Sequence, residues 1–87
     1  IRYPSITVRT VFDGAAPQEV ESQVSRPVEE ALATLDGLVH LESRSRAGLS
    51  DVVLGFDWGT DMDGATQSIR ENLQTTWLPE GTERPLI

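Results

Sequence analysis

The sequence predicts an α+β fold, a two-layer sandwich in which both helices cover one face of an antiparallel sheet. Three observations carry this prediction. In two stretches apolar residues recur at steps of three and four, which is typical of amphipathic helices. In three other stretches they alternate with polar residues, which is typical of half-buried strands. The order along the chain is β-α-β-β-α, with room for a short last strand.

The longest helix is predicted over residues 17–35. Its apolar stripe consists of Val20, Val24, Val28, Ala31, Leu32 and Leu35. A proline at position 17 suits the first turn, and Gly37 suits the end, where a left-handed residue is common. Pro27 lies inside the stretch and removes the bond to Gln23, so we expect a kink. Two shorter helices that meet at Pro27 are the alternative.

Three strands are predicted over residues 5–12, 38–46 and 50–57, and the last two form a hairpin. The helix-facing side chains are expected to be Ile6, Val8, Phe12, Val39, Leu41, Val52, Leu54 and Phe56. The opposite face is polar and consists of Thr7, Arg9, Val11, His40, Glu42, Arg44, Arg46, Asp51 and Val53. With right-handed crossovers this order gives a ferredoxin-like split β-α-β sandwich with a truncated last strand.

The second helix is predicted over residues 61–76. Its stripe consists of Met62, Ala65, Ile69, Leu73 and Trp77, so Trp77 is expected in the core. Thr60 and Asp63 have the spacing of a capping box at its start. Residues 82–87 could begin a fourth strand beside the first. If they are too short, the edge of the first strand stays open and the chain is expected to dimerise through it.

Composition limits the function further. A chain of 87 residues suits one domain, over positions 1–87, and we read it as a piece of a longer protein. Fourteen acidic residues against seven arginines give a net charge of −7, which argues against nucleic acid and anionic membranes as partners. The sequence has no cysteine, so neither a disulfide nor a thiolate metal site is possible.

Signals of catalysis are weak, and we predict no enzymatic activity, no cofactor and no metal. His40, the single histidine, is expected to be an ordinary exposed residue. Asp61, Asp63 and Gly64 resemble a fragment of a calcium loop, but Asn72 stands where the twelfth-position acid belongs. These carboxylates are better explained by the N-terminus of the second helix. Glu29 and Glu30 are expected to lie on the solvent-exposed edge of the first helix. Arg44 and Arg46 could hold an anion, although a charge ladder with Glu42 and Asp51 is the simpler expectation.

Ordered motifs cover nearly the whole chain. They are Tyr3-Pro4-x-Ile6-x-Val8-x-Thr10, Gly14-Ala15-x-Pro17-x-Glu19-Val20-Glu21, Val24-x-x-Pro27-Val28-Glu29-x-Ala31-Leu32, Leu35-x-Gly37-Leu38, Glu42-Ser43-x-Ser45-x-x-Gly48-x-Ser50-x-Val52-x-Leu54-x-Phe56 and Gly59-Thr60-Asp61-x-x-x-Ala65. In this order and spacing the chain resembles the first, N-terminal periplasmic porter subdomain of resistance-nodulation-division (RND) efflux transporters, of the acriflavine-resistance type.

The resemblance implies a proton-driven multidrug efflux permease in the inner membrane of a Gram-negative cell, with this subdomain in the periplasm. The parent would be a homotrimer that works with a periplasmic adaptor and an outer-membrane channel and exports small molecules. The subdomain would move as a rigid body. Its long helix would lie near the trimer axis, with Glu21, Ser25 and Glu29 as candidate contacts. Its sheet would line part of the substrate path, with candidates Arg9, Arg44, Arg46, Asp51 and Val53.

Some positions depart from the family pattern. Phe12-Asp13-Gly14-Ala15 stands where many members have Tyr-Pro-Gly-Ala, and the outer sheet face carries more charge than a path for lipophilic drugs suggests. The methionine and cysteine ligands of the heavy-metal branch are absent from that face, so metal export is not predicted. The alternative function is a free-standing ferredoxin-like ligand-binding or regulatory domain, which dimerises through its sheet. In either case we expect the fragment itself to be soluble.

Overall fold

In a computed structural model, which describes residues 3–87, the chain forms a three-stranded antiparallel sheet covered on one face by helices. The elements are β1 (Ser5–Val11), α1 (Pro17–Val20), a π-helical turn (Glu21–Ser25), α2 (Arg26–Leu32), β2 (Leu38–Arg46), β3 (Leu49–Phe56) and α3 (Met62–Gln74). The sheet order is β1-β3-β2, and both pairings are antiparallel. The predicted α+β fold, with its helices on one face, is therefore confirmed.

The core lies between the sheet and the single layer of helices that runs over it. α1, the π-helical turn and α2 follow one another without interruption, and together they are called the long helical segment. The buried core comprises Val8, Val24, Val28, Leu32, Val52, Leu54, Phe56, Ala65 and Ile69. Each of these positions belongs to an apolar stripe or an alternating strand pattern. The local periods of the sequence therefore place the core.

The long helical segment is shorter than predicted and contains a wide π-helical turn directly before Pro27, where the sequence predicts a kink. It ends at Leu32, three residues before the expected Leu35. In the wide turn the amide of Arg26 donates to the carbonyl of Glu21, a bond that spans five residues. Pro27, directly after this turn, has no amide hydrogen, and its ring crowds the carbonyl four residues earlier. The wide turn therefore lies where the proline interrupts the regular hydrogen-bond ladder of the helix.

Val39 does not face the helices as predicted, because the start of β2 contains a β-bulge. The pairing with β3 shifts between Leu38 and His40, so Val39 is left between two paired residues. Leu38 packs against the core in its place, and the Val39 side chain is 50% exposed. Alternation alone could not reveal the extra residue.

α3 begins and ends differently from the prediction. Asp61, rather than Thr60, caps it: the Asp61 Oδ1 accepts the Gly64 amide hydrogen at 3.0 Å. The helix ends at Gln74, and the hydroxyl groups of Thr75 and Thr76 donate to the carbonyl of Asn72. Trp77 lies beyond this end and is 77% exposed, so the prediction of a core tryptophan is wrong.

The last segment of the chain runs along the outer edge of β1. Arg9 and Leu86 exchange two backbone hydrogen bonds of 2.8 Å, and the Glu83 amide donates to the Val11 carbonyl at 2.9 Å. This contact is an isolated bridge rather than a full strand. It nevertheless occupies the edge of β1 near Arg9. Dimerisation through this edge was expected only if residues 82–87 were too short to reach it, and near Arg9 they do reach it.

Candidate functional site

The outer face of the sheet collects the charged residues predicted to line a substrate path. Arg9, Asp51 and Arg44 lie directly opposite one another on the three strands. Val53 is the next outward residue along β3, and Arg46 the next along β2. Because side chains alternate along a strand, all five share the face that the helices leave uncovered. The structure therefore brings together the residues that the sequence analysis grouped.

A bidentate ion pair between Arg9 and Asp51 lies in the middle of this face. The Arg9 Nε and Nη2 atoms donate to the two carboxylate oxygens of Asp51 at 2.8 and 2.9 Å. The Asp51 side chain is only 13% exposed. The hydrogen bonds from Arg9 lower the pKa of Asp51 below its ordinary value of 3.8, although burial acts the other way, and the charges of Arg9, Arg46 and Arg44 lower it further. Asp51 is therefore a fixed negative charge at neutral pH.

The expected charge ladder along β2 does not form. Both Asp51 oxygens are taken by Arg9, which lies across the sheet on β1. Among residues 3–87, neither Arg44 nor Arg46 has a carboxylate oxygen within 4.0 Å. Glu42 instead lies 3.5 Å from the Nε2 of His40. Both arginines on β2 are exposed, and their guanidinium groups are available to a ligand or a partner.

The three candidates on the long helical segment occupy different environments. Glu21 is half-exposed and accepts two hydrogen bonds of 3.1 Å from Arg26. Glu29 is half-buried on α2. Ser25 is 0% exposed and faces the sheet, because the stripe that includes Val24 and Val28 turns this side inward. Its hydroxyl group is consequently not on the outward surface of the helix, where an axial contact would require it.

Sequence reasoning missed a buried row of hydroxyl groups beneath the helices. Thr10, Ser50 and Ser45 lie opposite one another on the three strands. The Ser25 Oγ is 2.7 Å from both the Ser45 Oγ and the Ser50 Oγ. Thr10 Oγ1 is buried and has no hydrogen-bond partner in the part of the chain that the structure describes, residues 3–87. The signal was present, since Thr10, Ser45 and Ser50 fall at inward positions of the strand alternation.

A shallow groove of about 600 Å³ separates the loop before β2 from the start of α3. Its polar lining includes Thr34, Asp36, Asp61 and Glu71. Asp61 is committed to the helix cap, and no group of three His, Cys, Asp or Glu residues within 3–87 is arranged to hold a metal ion. Within the same residues, no helix has the length and hydrophobicity that a membrane crossing requires.

Comparisons with known proteins agree with this architecture. The sequence model of the AcrB/AcrD/AcrF family matches residues 1–87. The chain belongs to the AcrB/AcrD/AcrF family. Among curated relatives, the swarming motility protein SwrC of Bacillus subtilis (strain 168) is 34% identical over 87 residues, which are 100% of this chain and 8% of SwrC. The multidrug resistance protein MdtC of Erwinia amylovora is 34% identical over 84 residues, 94% of this chain and 8% of MdtC.

Solved structures give the same assignment. Crystal form II of a heavy metal efflux pump superposes with a TM-score of 0.89 at 29% identity, covering 98% of this chain and 9% of the pump. Crystal form I gives 0.88 at 29% identity, with 99% and 9% covered. The predicted identity as a porter subdomain of an RND efflux transporter is thereby confirmed. This AcrB/AcrD/AcrF family chain spans about 8% of the length of the curated relatives that it matches.

Proposed function

We propose that this chain is a porter subdomain of a proton-driven multidrug permease and lines part of the path along which small molecules leave the cell. The observation that carries the proposal is the family match, which extends over residues 1–87. On this proposal the parent is a homotrimer in the inner membrane, and the subdomain lies on its periplasmic side. The parent would dock with a periplasmic adaptor and an outer-membrane channel.

The experiment for the transport function uses the complete transporter that contains this chain. Cells that lack their other efflux pumps and express it should retain less ethidium than cells with an empty vector. A protonophore should abolish the difference, because the export is proposed to draw on the proton gradient. Equal retention of both ethidium and carboxyfluorescein in the two cell types, or efflux that survives the protonophore, would overturn the proposal.

The outer sheet face is the part of the subdomain that we propose to meet the exported molecule. It carries the guanidinium groups of Arg44 and Arg46, which have no carboxylate partner among residues 3–87, beside the neutralised Arg9–Asp51 pair. An exposed guanidinium attracts an anionic or zwitterionic group and repels a cation. The charge of this face therefore favours compounds that bear a carboxylate over purely cationic ones.

This preference is testable with two dyes of opposite charge. The double variant R44S/R46S in the complete transporter should slow export of carboxyfluorescein severalfold relative to export of ethidium. The variant R70S removes one charge from an exposed position of α3 and should leave the ratio unchanged. An unchanged ratio in R44S/R46S would remove this face from the path while leaving the transport function untouched.

The proposal also includes movement of the whole subdomain as a rigid body during transport. Helix and sheet are joined in the core by the Ser25–Ser45 contact, whose hydroxyl oxygens are 2.7 Å apart. A disulfide formed by S25C/S45C would lock the long helical segment to β2, in a chain that has no native cysteine. Efflux should be the same before and after oxidation if the subdomain moves as one body. A loss on oxidation that a reductant reverses would show that helix and sheet must separate.

A further inference from the structure

The outer edge of β2 presents backbone hydrogen-bonding groups to which no other backbone group of residues 3–87 bonds. β2 is the terminal strand of the sheet on this side. It spans nine residues, which makes it the longest of the three strands. Long exposed edges are the usual sites at which another strand is added. What pairs with such an edge depends on which backbone groups it offers and which side chains flank them.

The directions of the backbone hydrogen bonds in the sheet can be derived from β1, the strand at the opposite edge from β2. The backbone groups of Arg9 bond to Leu86, so they point away from β3. Antiparallel ladders alternate, and the neighbouring residues of β1 therefore bond to Ser50 and Val52 of β3. The residues between these two positions, such as Asp51, must then point their backbone groups toward β2.

The same alternation identifies the free groups of β2. Glu42 and Arg44 lie opposite Val53 and Asp51 and bond to β3. The backbone groups of Leu41, Ser43 and Ser45 therefore face outward, and no other backbone group within residues 3–87 bonds to them. Three amides and three carbonyls are consequently arranged for an incoming strand.

We propose that this edge pairs with the β2 edge of a second copy of the chain, antiparallel and with Ser43 opposite the second copy's Ser43. In this register the outward-facing backbone groups meet: Leu41 bonds to the second copy's Ser45, and Ser43 to its equivalent. The two sheets then form one continuous six-stranded sheet. A two-fold axis passes through the central serine pair.

Charge self-complementarity selects the second copy and the register. Glu42 lies opposite the second copy's Arg44, and by symmetry this pair occurs twice. Both are non-hydrogen-bonded pairs, in which side chains approach most closely. Arg44 has no carboxylate partner within residues 3–87, so the contact supplies the one it lacks. Opposite charges across a pair stabilise a sheet.

Neighbouring registers are disfavoured by the same side chains. The smallest shift that keeps the outward groups bonded is two residues. In one direction this shift places Glu42 against Glu42, and in the other it places Arg44 against Arg44. Like charges directly opposite destabilise an antiparallel pair. The net charge of −7 also repels copies in general, so a reversible dimer is expected rather than a permanent one.

Sedimentation equilibrium of the 87-residue chain, up to millimolar concentration, tests the proposal by charge exchange. The wild-type chain should show a monomer–dimer equilibrium. The variants E42R and R44E should each weaken dimerisation at least tenfold, which corresponds to about 1.4 kcal/mol. The double variant E42R/R44E restores both pairs and should return to within about threefold of wild type. Matched controls on α3, E71R and R70E, change the net charge equally and should have no effect.

A main-chain test separates strand pairing from general charge attraction. S43P removes an amide that faces outward and takes no part in the β2–β3 ladder, so the fold should persist while the dimer is lost. Hydrogen exchange at Leu41, Ser43 and Ser45 of the wild type should slow as concentration rises. If S43P does not fold, the series E42R, R44E and E42R/R44E still tests the proposed dimer.

Three results would overturn the inference: a wild-type chain that stays monomeric, a dimer that persists in E42R, or a double variant that does not recover. Strengthening in E42R with loss in R44E would also overturn it, because the edge would then meet an acidic surface elsewhere on the second copy and not its β2 edge. The inference concerns the chain by itself and a two-fold contact. It does not use the three-fold assembly of the proposed transporter, so either proposal can fail alone.

Discussion

Asp51 shows how a single residue gains its role from its neighbours across the sheet. Its two oxygens accept hydrogen bonds from Arg9, and its side chain is largely covered. A buried carboxylate without such a partner would be costly, so the pair is a structural unit of the outer face as well as a local charge. Removing one member affects both the stability and the charge of the face.

The lowered pKa of Asp51 predicts a pH dependence of stability. A carboxyl group that is more acidic in the folded chain stabilises it above the unfolded pKa, 3.8. This contribution declines as the pH falls below 3.8 and disappears below the folded pKa. Urea unfolding of the wild type and of D51N should therefore differ by a constant amount at neutral pH, and the difference should shrink as the pH falls below 3.8. A difference that does not shrink in acid would contradict the assignment.

Thr10 provides a second prediction for single residues. Its hydroxyl group is buried without a partner, whereas that of Ser25 contacts two serines. T10V should raise the free energy of unfolding by about 1 kcal/mol, because it removes an unsatisfied polar group. S25A should lower it by about 1–3 kcal/mol, because it leaves buried partners unpaired. Urea unfolding measures both. Destabilisation by T10V would indicate a buried water as the missing partner.

Among the elements, the long helical segment shows how a π-helical turn keeps an apolar stripe on one side of a helix. Its buried valines and leucine, Val20, Val24, Val28 and Leu32, are spaced by four. In a regular α-helix each such step overshoots one turn by about 40°, and the stripe drifts around the axis. The π-helical turn holds one residue more per turn, so it offsets this drift and keeps Val20 in line with Leu32.

This explanation predicts that one residue of the wide turn is dispensable. In a P27A background, which removes the ring that crowds the carbonyl four residues earlier, deletion of the exposed Ser22 should convert the turn to a regular α-helical one and cost less than about 1 kcal/mol. Deletion of Glu30, equally exposed but in the regular helix, should rotate Leu32 out of the core and cost about 2–5 kcal/mol. Chemical denaturation compares the two. Equal costs would mean that the wide turn is not an inserted residue.

On the scale of the whole molecule, the last segment closes one side of the sheet. L86P removes the amide that donates to the Arg9 carbonyl. The neighbouring variant I87P is the control, because no backbone bond within residues 3–87 uses the Ile87 amide. L86P should speed exchange of the Arg9 amide and lower the free energy of unfolding by about 1–2 kcal/mol. Hydrogen exchange that is unchanged in L86P would show that the bridge is not formed in solution.

The sequence by itself determined the layers of this protein and the face on which its charges lie. A period of two or of 3.6 is a local property, so the core residues, the outward position of Arg9, Arg44, Arg46, Asp51 and Val53, and the family likeness could all be predicted from it. The family comparison confirms the likeness. Those features need no knowledge of which strand lies beside which.

Only the tertiary structure decided how these parts meet. The partner of Asp51 is Arg9 rather than Arg44, because the ion pair depends on contacts between strands distant in sequence. The exposed Val39 depends on a bulge, and the exposed Trp77 on where α3 ends. The buried Ser25 depends on a turn of the long helical segment that is wider than its neighbours. Each of these features depends on contacts between residues distant in sequence, which compete with the local pattern. The hydrophobic periodicity of the sequence does not show which of the two prevails.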